Sequence, residues 1–356
     1  MKVATLAPAL DFEVPPELEA SVPPEERGLG RDGVRMMVSS RASGTIEHRM
    51  FADLPHVLKP GDLLVVNHSS TVNAALDGVV DEQPALLHLS RPLDEQRWIV
   101  ELRHPDATGL GSKPWLDASP GTKIKLQEHG SAILRSAALP GRRHEAVRLW
   151  VAEMHVSGGI PDYLAAWGRP IVYGHVSARW PLTSYQTIFA AEPGSAEMPS
   201  AGRPFTTDLV TRIFISGVDL ATVLLHCGVS SLEAHEPPDA EPFQVSAQAA
   251  ERVNAVHRLG GRVIAVGTTV VRALESAAVA RGLVLPAAGL TDLVIDAAYS
   301  PRVVTGVLTG WHEPRASHMA MLEAVAGRDL LRRSYREALG AGYLWHEFGD
   351  SHLILP

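Results

Sequence analysis

Residues 262–277 read RVIAVGTTVVRALESA, and the fold is decided by how this stretch is read. Arg262 to Val266 are apolar and β-rich, as a buried strand requires. Gly267, Thr268 and Thr269 form a tight polar turn, and Val270 to Ala280 favour a helix with no proline to break it. Strand, turn and helix together make an α/β unit. The unit also sets free backbone N–H groups and two hydroxyls at a helix N-terminus, which suits a polar or anionic ligand group. Arg272 falls in or near the first helical turn, with Glu275 three residues on and on the same face. A cation at that end opposes the helix dipole, a small cost that points beyond structure. Ordinary capping produces the same pattern, since Thr is a good N-cap. Local features leave the two readings level.

The 356 residues are enough for two domains, and 46% hydrophobic with 20% charged residues supports a sizeable core. There is no apolar run of transmembrane length and no signal-peptide pattern, so a soluble cytoplasmic protein is expected. The single cysteine, Cys227, excludes an internal disulfide framework and a thiolate zinc cluster. The net charge of −8 gives no support for non-specific binding to polyanions, although a local basic groove is compatible with it. Arg142-Arg143 and Arg332-Arg333 are the densest basic spots and read as solvated surface pairs.

Outward from the central stretch, the texture changes twice. The segment through Glu26 is rich in Pro and Glu and is expected to wrap a domain surface. Val34–Val38 and Leu63–Val66 read as strands, with Lys59-Pro60-Gly61-Asp62 as the turn into the second. From Val79 to Val156, short β-type runs (Ala85–Leu89, Trp98–Leu102, Lys123–Leu126, Ala132–Ser136, Val147–Val151) alternate with Gly/Pro turns, the signature of a small all-β unit. After Pro161 strands and helices alternate again. Helices are expected over Ala247–Leu259, Ala316–Ala326 and Leu330–Leu339, and a strand over Val303–Leu308. The expected fold is α/β, with 1–78 and 157–356 forming one domain and 79–156 an inserted small β domain.

Several familiar motifs fail. Gly28, Gly30 and Gly33 match G-x-G-x-x-G, but prolines and charges precede them and strand-like Val34–Val38 follows, so they read as a turn. Among the 16 histidines, His235-Glu236-Pro237 and His312-Glu313-Pro314 stand out, yet no H-E-x-x-H spacing occurs. No metal site is expected, and any zinc site would have to be assembled from distant residues.

Other clusters fall where strands should end, the usual place for an α/β site. They are Ser184-Tyr185-Gln186-Thr187, Glu192-Pro193-Gly194-Ser195, Pro199-Ser200-Ala201-Gly202, Leu224 to Gly228 around His226, Leu308-Thr309-Gly310-Trp311-His312-Glu313-Pro314, and Phe348-Gly349-Asp350. In order and spacing, these clusters and the central stretch resemble the S-adenosylmethionine:tRNA ribosyltransferase-isomerase family of queuosine biosynthesis. Lys59 to Asn67 looks like its PGDLLVxN strand. Tyr185-Gln186-Thr187 through Gly202 looks like its YQT…PTAG stretch, and RVIAVGTTVVRALE matches its RVIAVGTTSVRxLE signature nearly residue for residue. Thr309 and His312 fall in its TNFHLP motif, His226 in its LHVGAGTF motif, and Gly349-Asp350 in its YGDAM motif.

The resemblance implies a barrel-like α/β domain with an inserted small β domain. It also implies S-adenosylmethionine as a ribosyl donor and co-substrate, with no tightly bound cofactor and tRNA as the partner. An amine on 7-aminomethyl-7-deazaguanine attacks the ribose, adenine and methionine leave, and an epoxycyclopentanediol forms. Such chemistry needs a base for the proton next to the sulfonium, a donor at the adenine ring, a group for the methionine carboxylate and acceptors for the ribose hydroxyls. His226 and His312 are the acid/base candidates by titration range, and Glu275 or Asp350 could orient a histidine or take ribose hydroxyls. Gly267, Thr268, Thr269 and Arg272 suit an anionic or hydroxyl-rich group. Tyr185, Gln186, Ser200, Ala201, Gly202, Thr309 and Asp350 complete the substrate-binding candidates.

The chain also departs from the pattern. Arg203-Pro204 replaces Leu-His of the family's TAGLHF, Asn67-His68-Ser69-Ser70 lacks a basic residue, and Gly228 to Leu232 replaces Gly-Ala-Gly-Thr-Phe. Glu313 stands where the family has Leu, and of its His-Ser-Glu motif only Glu241 is kept. The central stretch survives while the others drift, so the donor side is expected to be kept and the acceptor side changed. Two alternatives follow: a relative using S-adenosylmethionine on a small acceptor, and a non-catalytic nucleoside- or RNA-binding derivative. A monomer is favoured.

Overall fold

The computed structural model describes residues 10–138, 147–230, 238–314, 316 and 318–356. Arg142-Arg143 and His235-Glu236-Pro237 lie outside these described residues. The core is a nine-stranded mixed sheet. Its strands run, in spatial order, Ala287–Thr291, Glu241–Val245, Asp219–Leu225, Leu63–Asn67, Val263–Val266, Gly306–Gly310, Ser351–Leu355, Arg35–Ser40 and Ile46–Met50. The four strands from Asp219–Leu225 to Gly306–Gly310 are mutually parallel, and Ser351–Leu355 runs antiparallel to Gly306–Gly310.

Alternation along the central strands builds a layer on each face. Leu63, Val65, Val263, Ala265 and Val307 pack with Val253, Leu274, Leu322 and Leu331, which lie on the helices Ala247–Arg258, Thr268–Ala277, His318–Ala326 and Arg328–Gly340. Leu64, Val66, Ile264, Val266 and Leu308 face the other way, onto Leu54, Leu209 and Ile213. A strand covered on both sides reads as a continuous apolar run, which is why Leu63–Asn67 and Val263–Val266 carry no polar period.

The second β unit is closed. Ala75–Val80, Gln83–Pro92, Arg97–Pro105, Leu149–His155, Ser131–Ala137 and Lys123–Lys125 pair in sequence, and Val79 opposite Lys125 completes a six-stranded antiparallel barrel. Gly78 permits that last contact, since a Cβ there would lie 2.8 Å from Ile124 Cγ2 and 2.9 Å from the Lys125 carbonyl oxygen. The α/β domain was expected to be barrel-like. Among the described residues its sheet instead has two ends, Ala287–Thr291 and Ile46–Met50, and closure belongs to the inserted strands.

Smaller differences have local causes. The central helix ends at Ala277, and Ala278–Ala280 folds back on Leu283–Val284 across Gly282, φ 70°. Val303 and Val304 precede their expected strand because Glu275 takes their N–H groups, both at 2.9 Å. From Leu10 onward the N-terminal segment lies along the domain, where Glu19 bridges to Trp345.

Candidate functional site

A cavity of about 420 Å³ opens at the carboxyl ends of the parallel strands. It is lined from the loops after Asp219–Leu225, Val263–Val266 and Gly306–Gly310, where an open α/β sheet offers a crevice. Gly267 turns the chain with φ 97°, a backbone conformation that favours glycine, and lies against Ala201. The helix Thr268–Ala277 starts without a side-chain cap. Thr268 and Thr269 line the cavity, and the buried Thr269 hydroxyl has no partner among the described residues. An uncapped first turn and an idle hydroxyl are what a polar ligand would satisfy.

The neighbouring strand brings Thr309 and His312. Thr309 Oγ1 lies 2.8 Å from His312 Nε2, and the ring stacks on His318 at 4.6 Å. Burial, with His318, His346 and His352 nearby, holds the His312 pKa well below the usual histidine range, so the imidazole is neutral at neutral pH. Burial likewise pulls His318 down to about 4. Tyr185, Ser200 and Ala201 line the cavity as well, and the buried Tyr185 hydroxyl is also without a partner among the described residues.

Arg272 lines the cavity too, but its position differs from the expectation. It is the fifth helical residue, beyond the first turn. Its guanidinium pairs with Glu241 and donates to the carbonyls of Asp239 at 2.8 Å, Thr291 at 3.0 Å and Leu293 at 3.0 Å. Glu241 in turn accepts from the Gly228 N–H at 2.9 Å. So committed, Arg272 braces the cavity floor and has little left to clamp an anion.

Gln186, Gly202, His226, Glu275 and Asp350 are not brought to the cavity wall. Gln186 pairs with the Thr71 backbone, donating at 2.7 Å and accepting at 3.0 Å. Gly202 packs behind Ala201, under Thr187. His226 Nδ1 sits 2.8 Å from Ser69 Oγ, its ring flat over Gly194, and burial lowers its pKa. Glu275 is fully buried and accepts from the N–H groups of Arg302, Val303 and Val304 and from the Tyr299 hydroxyl at 2.9–3.0 Å, which fixes the approach to Gly306–Gly310. Asp350 accepts from the Arg35 and Leu344 N–H groups, both at 2.8 Å, and binds the Arg35 guanidinium. Both carboxylates are fully used as acceptors, a reason to read them as positioning groups.

The cavity also holds residues absent from the expected site, of which only Glu313 falls in a cluster singled out in the sequence. Glu197 accepts from the Ser230 N–H at 2.9 Å and from the hydroxyls of Ser230 and Tyr173, and burial pushes its carboxyl up. His175 stacks on His346 at 3.9 Å and meets Glu347 at 3.0 Å. Glu313, exposed at 47%, faces His346, and burial, then Glu19, push its carboxyl up. Glu197 lies between two quoted clusters and His346-Glu347 immediately precedes Phe348-Gly349-Asp350, so adjacency was the available signal.

Comparison with known proteins covers nearly the whole chain. A family described as "Queuosine biosynthesis protein" matches residues 8–354. The S-adenosylmethionine:tRNA ribosyltransferase-isomerase of Symbiobacterium thermophilum is 36% identical over 356 residues, spanning 97% of this chain and 98% of the relative. The protein of the same name from Heliobacterium modesticaldum is 34% identical over 361 residues, with 97% and 98% covered. The crystal structure of an S-adenosylmethionine tRNA ribosyltransferase from Thermotoga maritima superposes with a TM-score of 0.53 at 28% identity, covering 98% of this chain and all of the other.

Proposed function

The chain belongs to the queuosine biosynthesis protein family, and from that premise we propose that it runs the family reaction in the cavity at the strand ends. It transfers and isomerises the ribosyl group of S-adenosylmethionine onto 7-aminomethyl-7-deazaguanine in tRNA, giving epoxyqueuosine with release of adenine and methionine. The α/β part carries the S-adenosylmethionine site, and the inserted β domain is the barrel, whose first strand, Ala75–Val80, starts four residues before the expected boundary at 79. The reading includes a monomer acting in the cytoplasm, and no described helix is long and apolar enough to cross a membrane.

One observation carries the assignment of the donor site: an uncapped helix start at Gly267-Thr268-Thr269, with an idle Thr269 hydroxyl, faces the same cavity as Thr309 and His312. The first-turn N–H groups suit a carboxylate or hydroxyl of the donor. His312 is neutral and therefore able to accept the proton next to the sulfonium, with Thr309 fixing its ring. Thr269 and Tyr185 hydroxyls are free to meet ribose or adenine. Arg272, Glu241 and Glu275 hold the frame in place.

The acceptor side supports a second reading. Glu313 and Glu347 give that wall of the cavity an acidic character, which suits a small amine as well as the aminomethyl group of a tRNA base. Incubation of the pure protein with S-adenosylmethionine, with and without tRNA bearing 7-aminomethyl-7-deazaguanine, separates the cases. Adenine and methionine released only with that tRNA support the family reaction. Release with a small amine and no RNA supports the second reading. Binding without turnover on any acceptor would contradict both.

A further inference from the structure

We propose that Glu19, Glu313 and His346 form a binding site for a divalent transition-metal ion of the zinc class at the mouth of the cavity. The three residues come from distant parts of the sequence, and the fold brings one ligand atom from each to within 4.8 Å of the other two. His346 Nε2 is buried and has no hydrogen-bond partner among the described residues. It points at both carboxylates, 3.7 Å from Glu313 Oε1 and 3.9 Å from Glu19 Oε1. A buried ring nitrogen left without a partner between two carboxylates is an unexplained cost in a folded chain, and a cation removes it. One imidazole with two carboxylates is a ligand set that zinc accepts, with a fourth position left for water or substrate. Tetrahedral bonds of ~2.0–2.1 Å would set the ligand atoms about 3.3 Å apart, so the two edges through His346 need to close by roughly half an ångström and the two half-exposed glutamates swing in to meet.

Glu19 and His346 are held from behind. Glu19 is fixed by the bridge to Trp345, with the Ala20 N–H on the Trp345 carbonyl at 3.2 Å and the Trp345 N–H on the Leu18 carbonyl at 2.7 Å. His346 takes φ 70°, a left-handed conformation uncommon for histidine, and its carbonyl accepts from the Gly349 N–H at 3.0 Å. Its ring is stacked on His175, 3.9 Å away and 14° from parallel, and His175 is anchored to Glu347. Glu313 follows the strand Gly306–Gly310 and His312, so the site adjoins the proposed base. No local motif announces such a site, because no two of its ligands lie within one turn of helix or one strand.

The test uses the untagged full-length protein, stripped with a chelator and titrated calorimetrically with zinc chloride in the absence of S-adenosylmethionine and tRNA. The expected result is one zinc bound per chain. Glu313→Gln, on a half-exposed side chain, and His346→Asn, which tolerates the left-handed backbone, should each weaken binding at least ~10-fold. His129→Asn, at an exposed site on the β barrel, should change nothing. No saturable binding, or equal binding by wild type and both site variants, would overturn the proposal. The readout needs neither substrate, so its failure would leave the proposed reaction standing.

Discussion

Thr269 lines the cavity with a buried hydroxyl that bonds to nothing among the described residues. Thr269→Val keeps the shape and removes the hydroxyl. Folding stability should hold or rise, because an unsatisfied buried group is lost, while S-adenosylmethionine binding should weaken about 3–10-fold for one missing hydrogen bond. Calorimetric binding and thermal melting measured together check the split, and a loss of stability without a loss of affinity would refute a ligand role. His312→Gln should lower kcat about 10²–10⁴-fold, the usual worth of a general base. The pH profile is more diagnostic. A base works in its neutral form and fails as pH falls through its own pKa. Burial holds the His312 pKa well below 6.5, so kcat should stay flat as pH drops through 6.5 and fall only in more acidic solution. An inflection at the ordinary histidine value would contradict the buried, neutral ring.

Elements depend on groups that local sequence does not advertise. Glu275 and Arg272 were legible as a charged pair on the central helix, but both serve the frame. Glu275 gathers the N–H groups of residues 302–304, and Arg272 ties its helix to the strands Glu241–Val245 and Ala287–Thr291. Those partners lie tens of residues away, so helical spacing alone could not reveal them. Glu275→Gln turns an acceptor toward being a donor against three N–H groups and should cost ~2–3 kcal/mol. The chemical denaturation midpoint should fall while kcat of the folded protein changes little. Complete loss of kcat at unchanged stability would return Glu275 to the chemistry. The barrel has its own weak point at Gly78, where Gly78→Val drives new atoms into Ile124 and the Lys125 carbonyl. A loss of ~1–3 kcal/mol is expected from overpacking, read from the same denaturation curve.

For the whole molecule, the expectation of a β unit beside an α/β part rests on texture, because period-2 runs between Gly/Pro turns differ from apolar runs followed by helices, yet the first barrel strand, Ala75–Val80, begins before that texture does. Which of the two closes into a barrel was not legible, since closure rests on one contact, Val79 with Lys125, made across 46 positions of sequence. Motif order located the cavity walls at Thr268, Thr269, Thr309 and His312, while His346 and Glu313 meet only in space. Buried histidines also set the acid stability of the fold. Burial takes His318 down to about 4 and His352 to about 3, whereas the unfolded chain protonates near 6.5. Between those limits the unfolded state binds more protons, so stability is intact above 6.5 and is lost as pH falls toward the folded values. The urea midpoint should therefore drop between about pH 7 and pH 5, each histidine contributing up to ~1.4 kcal/mol per pH unit. A flat midpoint across that range would mean these rings are not buried as described. A crystal structure of the protein with S-adenosylmethionine tests the donor site directly. The donor should lie in the strand-end cavity, with polar atoms on the Thr268 and Thr269 N–H groups and the Thr269 hydroxyl, and the ribose beside His312. A donor bound elsewhere, with the Gly267-Thr268-Thr269 turn empty, would contradict that placement.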